Sequence, residues 1–365
     1  MKKVRLLSLL LLATLLFTFV ACGDTPSNGD ETTDTVTEAP ITEAPTTEAP
    51  ATEAPTTEAP TTEAATTAPT TTEEATSEKP EPEKFVYKHV IIVGIQGMGT
   101  FHLGAETPNL DAIFADYALT NVAQSYFPSK EGPCWLSMLT GMDPLVMRVT
   151  QNPEYCSPRD YKNALEKYPS LFKLVHDKYP DAAIASISRW DAFQELVCAE
   201  DYIYTAGSPV EWTAEEEKQH ALDYIEAIDP SKNNFAYFCF AELDSLSHKI
   251  PRDSEEFKAM VTEMDAAIGE IFSAIEAKGM LDDTLFILAA DHGDCSHSKT
   301  SFTEEELTIT LGFRGKTVNN TKDFPMLLRD IAPIVAEAMG LEPSPAWETG
   351  KLPPSLPEGI FMNIE

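Results

Sequence analysis

The stretch TLFILAADHGD, residues 284–294, carries the strongest signal for the fold. Its first seven residues are apolar or small apart from one threonine, and such a run is typical of a strand buried on both faces of a parallel sheet. The polar sequence Asp291-His292-Gly293-Asp294 follows at the carboxyl end of that strand. Because open α/β sheets bind ligands at the carboxyl ends of their strands, we expect a binding site directly after residue 290.

Three further apolar runs of strand length precede this one and alternate with amphipathic helical stretches. The runs are residues 90–93, 183–187 and 235–238, and the helical stretches begin near Thr107, Ser170, Thr213 and Ser254. The last helix has one apolar stripe, formed by Phe257, Val261, Met264, Ile268, Ile271 and Ile275. Such alternation predicts the α/β class, as a three-layer α/β/α sandwich with a mostly parallel central sheet.

Polar side chains also follow two of the other strands. Gln96 follows the first strand and Asp244 the third, while His248 lies four residues after Asp244 and His297 five residues after His292. An isolated Asp-x3-His is usually a solvated helix face, and an isolated Asp-His-Gly is usually a turn. Carboxylates and imidazoles that converge at one sheet edge are ligands of the kind that hold Zn²⁺ or Mn²⁺. Their combination therefore predicts a metal site.

These motifs together resemble the alkaline phosphatase superfamily, in particular its type I phosphodiesterase, nucleotide pyrophosphatase and sulfatase-like branch. The residues that carry the likeness are 90–97, 107–111, 133–141, 242–248, 291–297 and 330–335. The resemblance implies two bound divalent metal ions, with Zn²⁺ expected first and Mn²⁺ or Mg²⁺ as alternatives. It assigns Asp244, His248 and His297 to one ion. It assigns Asp291 and His292 to the other.

Two residues of the second set depart from the family pattern. Gln96 stands where the family has an aspartate ligand, and Glu131 stands where it has a nucleophilic Thr, Ser or modified Cys. A carboxylate nucleophile would have to form an acyl phosphate. The more economical interpretation is that Glu131 has replaced the missing carboxylate as a metal ligand. Hydrolysis would then require direct attack of metal-activated hydroxide, with Glu131 as ligand or general base.

Two neighbours of Glu131 are candidates for substrate binding. Lys130 could offer charge to an anionic group, although a solvated lysine is the ordinary explanation. Cys134 stands where the phosphodiesterase branch often has an asparagine that binds the transferring group, and a thiol is a poor substitute.

The resemblance leaves two functions open. The first is a metal-dependent hydrolase of phosphate or sulfate esters, with a small anionic ester as its substrate. The alternative is a catalytically inactive, metal-binding family member that serves as a cell-surface binding or scaffold protein.

The N-terminal residues predict secretion and membrane attachment. Residues 1–22 have a basic start, a short apolar run and the junction Ala21-Cys22, as in a bacterial lipoprotein signal peptide. Residues 23–84 are rich in Thr, Glu, Ala and Pro, with a TEAP repeat every five residues from Thr37, and we expect a disordered tether. The folded domain then spans residues 85–365. Ordinary secretion with an incidental Cys22 is the alternative.

The charge of the chain excludes one class of partner. The 365 residues include 26 Lys and Arg against 59 Asp and Glu, a formal net charge of −33. Affinity for nucleic acid depends largely on cationic side chains that contact phosphates, so we expect no nucleic-acid partner. We expect the protein on the outside of the cell, held to the membrane through Cys22 rather than through surface charge.

Replacement of the lipid-accepting cysteine tests this localisation. The Cys22→Ala chain is expected to leave the membrane fraction, because two acyl chains on that cysteine would supply the anchor. The measurement is fractionation of parent and variant side by side. Equal retention of both at the membrane would rule out the anchor.

Overall fold

A seven-stranded sheet organises the part of the chain that the structure, a computed structural model, describes: residues 86–206, 212–293 and 303–347. The strands are β1 (His89–Ile95), β2 (Ala118–Gln124), β3 (Ala183–Ser188), β4 (Tyr204–Ala206), β5 (Asn234–Phe240), β6 (Thr284–Ala290) and β7 (Thr308–Arg314). Cys22 and His297 lie outside the described residues. The predicted signal peptide, tether and anchor therefore stay predictions.

Eleven α-helices accompany the sheet within these ranges. They are α1 (Pro108–Phe114), α2 (Glu131–Thr140), α3 (Pro144–Met147), α4 (Pro158–Lys167), α5 (Leu171–Lys178), α6 (Asp191–Val197), α7 (Ala214–Ala227), α8 (Glu242–Ser247), α9 (Glu255–Ala277), α10 (Glu304–Leu307) and α11 (Ile331–Ala338). None of the helices in the described ranges combines the length and apolar character needed to cross a membrane.

The strand order of the sheet is β2-β7-β6-β1-β5-β3-β4. β1 pairs in parallel with both β5 and β6, and β3 pairs in parallel with β5 and β4. β7 runs antiparallel to both of its neighbours. The predicted mostly parallel α/β fold is confirmed, and the four predicted strands lie within β1, β3, β5 and β6.

The central strands are apolar because helices cover the sheet on both sides. Every residue of β1, β5 and β6 is buried. Helices α1, α7 and α9 pack together in one layer, and α2, α5 and α11 pack together in another. Local sequence signals start these helices, such as the capping box of Thr213 with Glu216 before α7 and the Ser254 hydroxyl, which accepts the Phe257 N–H before α9.

The order β6-β1-β5 is the feature that positions the site. β1 is the central strand of the three, and the chain leaves all three at the same edge of the sheet. Gln96, Asp244 and Asp291 follow these strands in the sequence. Residues almost 200 positions apart are thereby brought side by side.

Candidate metal centre

Backbone hydrogen bonds join the segments that follow the central strands. The Gln96 N–H donates to the Phe240 carbonyl at 2.9 Å, and the Gly97 N–H donates to Asp291 Oδ1 at 2.9 Å. Gly97 has a φ of +68°, and a Cβ at this position would lie 2.9 Å from Asp244 Oδ1. Glycine is therefore required here both by conformation and by space.

The side chains of Glu131, Asp244 and His292 form a compact cluster at this edge. One potential ligand atom from each lies within 4.8 Å of the others, and all three residues are buried. His292 Nε2 is 3.8 Å from Glu131 Oε1 and 3.9 Å from Asp244 Oδ1. These separations are too long for hydrogen bonds. Ligand atoms about 2.0–2.2 Å from one tetrahedral ion are roughly 3.4 Å apart, so the spacing in the cluster is close to that of ligands around an ion.

Asp291 supplies a second argument that the cluster suits a cation. Its Oδ1 accepts the N–H groups of Gly97 and His292, while its Oδ2 lies 3.5 Å from His292 Nε2. Among the described residues, no side chain or backbone group makes a hydrogen bond to this buried Oδ2. Burial raises the pKa of Asp291 to about 6. A divalent cation would compensate such a carboxylate, so the residues fit a metal ion.

Asp244 lies between two groups of potential ligands. Its Oδ1 faces His292, and its Oδ2 is 3.5 Å from Nε2 of His248, whose side chain is 44% exposed. Burial acts to raise the pKa of Asp244, but the contact with His248 and the nearby His292 outweigh it and lower the pKa. The same contact raises the pKa of His248. The resemblance assigned Asp244 only to the ion held with His248 and His297. The structure places Asp244 next to His292 as well as next to His248. His297 is outside the described residues.

Glu131 reaches the cluster from the first turn of α2. A carboxylate in the first turn is favoured by the positive end of the helix dipole. Its Oε2 accepts a hydrogen bond from Asn152 Nδ2 at 2.7 Å, and its Oε1 faces His292. Glu131 thus supplies a carboxylate to the cluster, as expected from its sequence position.

Gln96 lies beside the cluster but directs its amide group to a neutral partner. It is buried, and its Nε2 donates to Cys239 Sγ at 3.6 Å. Burial is the main reason that the pKa of the Cys239 thiol is raised, which keeps it protonated. Gln96, which the resemblance aligns with an aspartate ligand, therefore adds no negative charge to the cluster.

A cavity of about 640 Å³ opens over the cluster. Its lining residues are Gln96, Lys130, Glu131, Asn152, Glu154, Tyr155, Arg189, Trp190, Ala241, Asp244, Ser245 and His248. Lys130 is on this wall, and its Nζ donates to Gln151 Oε1; its contact with an anionic group stays a prediction. The cavity brings charged groups of both signs next to the candidate ligands.

Cys134 does not belong to the cavity wall. Its side chain is fully buried, and its sulfur lies 3.3 Å from the Ser125 hydroxyl. Burial raises the pKa of the thiol to about 12. This position gives Cys134 a packing role and does not support the interpretation that it binds substrate.

Arg252 is a site residue that the sequence analysis missed. Its Nη1 donates to the carbonyl oxygens of Gly97 at 3.0 Å and Gly293 at 3.1 Å, and its Nη2 donates to the Ser247 hydroxyl at 3.0 Å. The guanidinium also lies over the Phe101 ring, 4.7 Å from its centroid. Arg252 therefore ties together the segments after β1 and β6 and the end of α8. The one signal in the sequence that could have identified Arg252 is its position four residues after His248.

Comparison with known proteins assigns the family. The model of the family described as type I phosphodiesterase / nucleotide pyrophosphatase matches residues 90–307, more than half of the chain. This range contains the cluster and the cavity lining. The chain belongs to the type I phosphodiesterase/nucleotide pyrophosphatase family of the alkaline phosphatase superfamily, and the resemblance read from the sequence is confirmed.

Individual relatives are distant. Choline-sulfatase of Rhizobium meliloti (strain 1021) is 25% identical over 153 residues, which are 38% of this chain and only 30% of that protein. Human ectonucleotide pyrophosphatase/phosphodiesterase 5 superposes with a TM-score of 0.56 at 11% identity, covering 69% of this chain and 95% of its own. A Bacteroides fragilis putative sulfatase gives a TM-score of 0.54 at 16% identity, covering 73% and 76%. The structural matches establish the shared fold.

Removal of the Arg252 side chain tests whether these segments depend on it. Arg252→Ala is expected to lower the free energy of unfolding by about 2–4 kcal/mol, since three partly buried hydrogen bonds to a charged group are lost. Metal affinity should fall about tenfold, because outer residues orient ligands. Urea unfolding and metal titration measure the two effects.

Arg314→Ala is the matched control for this variant. Arg314 also lies over an aromatic ring, 4.1 Å from the Phe272 centroid, but it pairs with Phe286 near the opposite end of the sheet. The Arg314→Ala chain should be less stable than the parent and should bind metal with the same affinity. An Arg252→Ala chain that binds metal within twofold of the parent would contradict the assignment.

Proposed function

We propose that this chain is an extracytoplasmic, metal-dependent hydrolase of phosphate or sulfate esters in which Glu131 binds a metal ion instead of acting as a nucleophile. The observation that carries the proposal is the convergence of Glu131, Asp244 and His292, the first two of which line the cavity. The family membership supports the reaction class.

The described residues supply ligands for one ion and part of the ligand set for another. Glu131, Asp291 and His292, with Asp244 beside them, would hold the ion that the resemblance assigns to Asp291 and His292. Asp244 and His248 would contribute to the other ion, together with His297 from the sequence. When bound, a divalent ion of this kind neutralises anionic charge and makes water a stronger acid. The ions are expected to be Zn²⁺, with Mn²⁺ or Mg²⁺ as alternatives.

The contacts of Glu131 favour a ligand over a nucleophile. Its Oε2 accepts a hydrogen bond from the Asn152 amide, and its Oε1 lies 3.8 Å from His292 Nε2, a separation that suits two ligands of one ion. A water oxygen would instead attack the phosphorus or sulfur atom. The bond to the ester oxygen breaks, the departing alcohol takes up a proton, and no covalent intermediate forms on the protein.

Two cationic side chains on the cavity wall suit an anionic ester. They are Lys130 and Arg189, and Arg189 is fixed by hydrogen bonds to the Trp212 carbonyl at 2.8 Å and the Ser245 hydroxyl at 2.6 Å. Glu217 is buried beside Arg189, and burial raises the pKa of this carboxyl group to about 8. Burial thus favours the neutral form of Glu217, which reduces the negative charge beside Arg189.

The solved structures of similar fold have ligands or names consistent with this substrate class. A murine ectonucleotide pyrophosphatase/phosphodiesterase 5 variant was solved in complex with AMP, and it superposes with a TM-score of 0.53 at 12% identity over 69% of this chain. Another protein with this fold is a 2-O glycosaminoglycan sulfatase. Both names point to anionic ester groups, which is the chemistry that Lys130 and Arg189 would meet here.

The second candidate is an inactive, metal-binding surface protein. It is favoured by the buried position of Cys134, which leaves the transferring group without the family asparagine, and by the neutral amide of Gln96. Under either function, we expect the protein to lie outside the cell, anchored at Cys22. Metal binding is common to both candidates, whereas turnover separates them.

The first experiment measures metal and hydrolysis in the same full-length preparation. The parent is expected to hold divalent metal and to hydrolyse at least one ester from a panel of phosphate monoesters, phosphate diesters and sulfate esters. Glu131→Ala should lose at least one metal equivalent and most of the hydrolysis, while the exposed Arg159→Ala control should keep both. Metal retained in full by Glu131→Ala would contradict the ligand role.

A double variant separates a modified enzyme from an inactive one. Gln96→Asp with Glu131→Thr restores a carboxylate and a hydroxyl nucleophile together, so hydrolysis should rise by more than the two single changes predict. Trapping a phosphorylated or sulfated protein by mass spectrometry should succeed for this variant and fail for the parent. An inactive parent with an active double variant would support the surface-protein alternative.

A further inference from the structure

Two consecutive residues from another segment, Gln151 and Asn152, make hydrogen bonds with Glu131 and with its two neighbours in the sequence. Gln151 Oε1 accepts from Lys130 Nζ, and Asn152 contacts both Glu131 and Gly132. Gln151 and Asn152 are called the amide pair below. They belong to the segment between α3 and α4, which the sequence analysis did not connect with the site.

Asn152 makes two different hydrogen bonds with one amide group. Its Nδ2 donates to Glu131 Oε2 at 2.7 Å, and its Oδ1 accepts the Gly132 N–H at 3.0 Å. An amide is the side chain that offers a donor and an acceptor at adjacent atoms. The bond to Gly132 also satisfies one of the N–H groups left unpaired in the first turn of α2. Asn152 therefore fixes the start of the helix and the rotamer of Glu131 together.

The surroundings of the amide pair restrict its movement. Tyr161 is fully buried, and its hydroxyl donates to the Gln151 carbonyl at 3.0 Å. A Cβ at Gly132 would collide with the Tyr161 hydroxyl and would lie 3.0 Å from Pro153 Cδ. The backbone of α2 and the segment carrying Asn152 are thus in close contact, which leaves Asn152 Nδ2 directed at Glu131.

From this geometry we infer that Asn152 is a positioning residue that holds Glu131 in the orientation of a metal ligand. One carboxylate oxygen is occupied by the Asn152 amide, so the other is presented to His292 and Asp244. A hydroxyl side chain at residue 131 has a single oxygen and could not serve both partners. The inference rests on the proposed ligand role of Glu131. It adds that a specific partner maintains this role.

A double-mutant cycle on metal affinity tests the inference. Full-length parent, Asn152→Ala, Glu131→Ala and the double variant are titrated with Zn²⁺ and with Mn²⁺ in separate experiments, without any ester present. Asn152→Ala should weaken binding about tenfold, the scale typical of a residue that orients a metal ligand. In the Glu131→Ala background the same change should alter affinity less than twofold, because there is no carboxylate to position.

Asn121→Ala is the matched control. The Asn121 amide donates to Asp323 Oδ1 at 3.3 Å on an exposed part of the surface, so it is also an asparagine that contacts a carboxylate. Its removal should leave metal affinity unchanged. An equal loss of affinity on removing Asn152 in both backgrounds would overturn the inference, since the effect would then come from the backbone of α2. No loss in the parent background would overturn it as well.

A second variant covers the case in which Asn152→Ala does not fold. Glu131→Asp keeps the charge but shortens the side chain by one methylene, so the carboxylate cannot reach both Asn152 and the cluster. It should bind metal more weakly than the parent, and parent-like affinity would contradict the positioning role. The readout is metal affinity alone. A chain that shows the expected coupling but hydrolyses no ester would uphold this inference and refute the proposed hydrolase.

Discussion

The repulsion among three buried carboxylates is the constraint on which the site depends. Glu131, Asp244 and Asp291 converge around Nε2 of His292, in a part of the molecule where an uncompensated charge is costly. The order β6-β1-β5 brings Asp244, Asp291 and His292 together, because it ends three strands at one edge, and Glu131 joins them from the first turn of α2. The nearby Arg252 binds the carbonyl oxygens of Gly97 and Gly293. The arrangement is therefore suited to a cation among the carboxylates.

The central strands and the residues after them could be predicted because their signals are local. Buried parallel strands are continuous apolar runs, and Asp291 and His292 follow one of these runs directly. β7 was harder to anticipate, since its antiparallel direction depends on its neighbours in the sheet and not on its own residues. Arg252 and Asn152 act through hydrogen bonds to residues distant in the sequence. Nothing in the sequence distinguishes them from arginines and asparagines that have no role in a site. Cys134 was misjudged because its place on α2 turns the thiol into the core.

Gln96 and Glu131 are better explained as linked substitutions than as two independent losses. With Glu131 in the cluster, an aspartate at residue 96 would add a fourth carboxylate to a site that already holds three. Gln96 avoids that charge and donates its amide to the thiol of Cys239. Asn152 in turn holds one oxygen of Glu131. These contacts are those expected if the cluster binds a metal ion, as proposed above.

The most direct test of the central claim, that Glu131 is a metal ligand, is anomalous X-ray diffraction from crystals of the metal-loaded protein. Data collected on both sides of the metal absorption edge locate the ion without assumptions about its ligands. We expect an anomalous peak about 2.0–2.2 Å from an oxygen of Glu131 and from Nε2 of His292. A peak that lies beside Asp244 and His248 alone, with Glu131 directed away from any ion, would contradict the account.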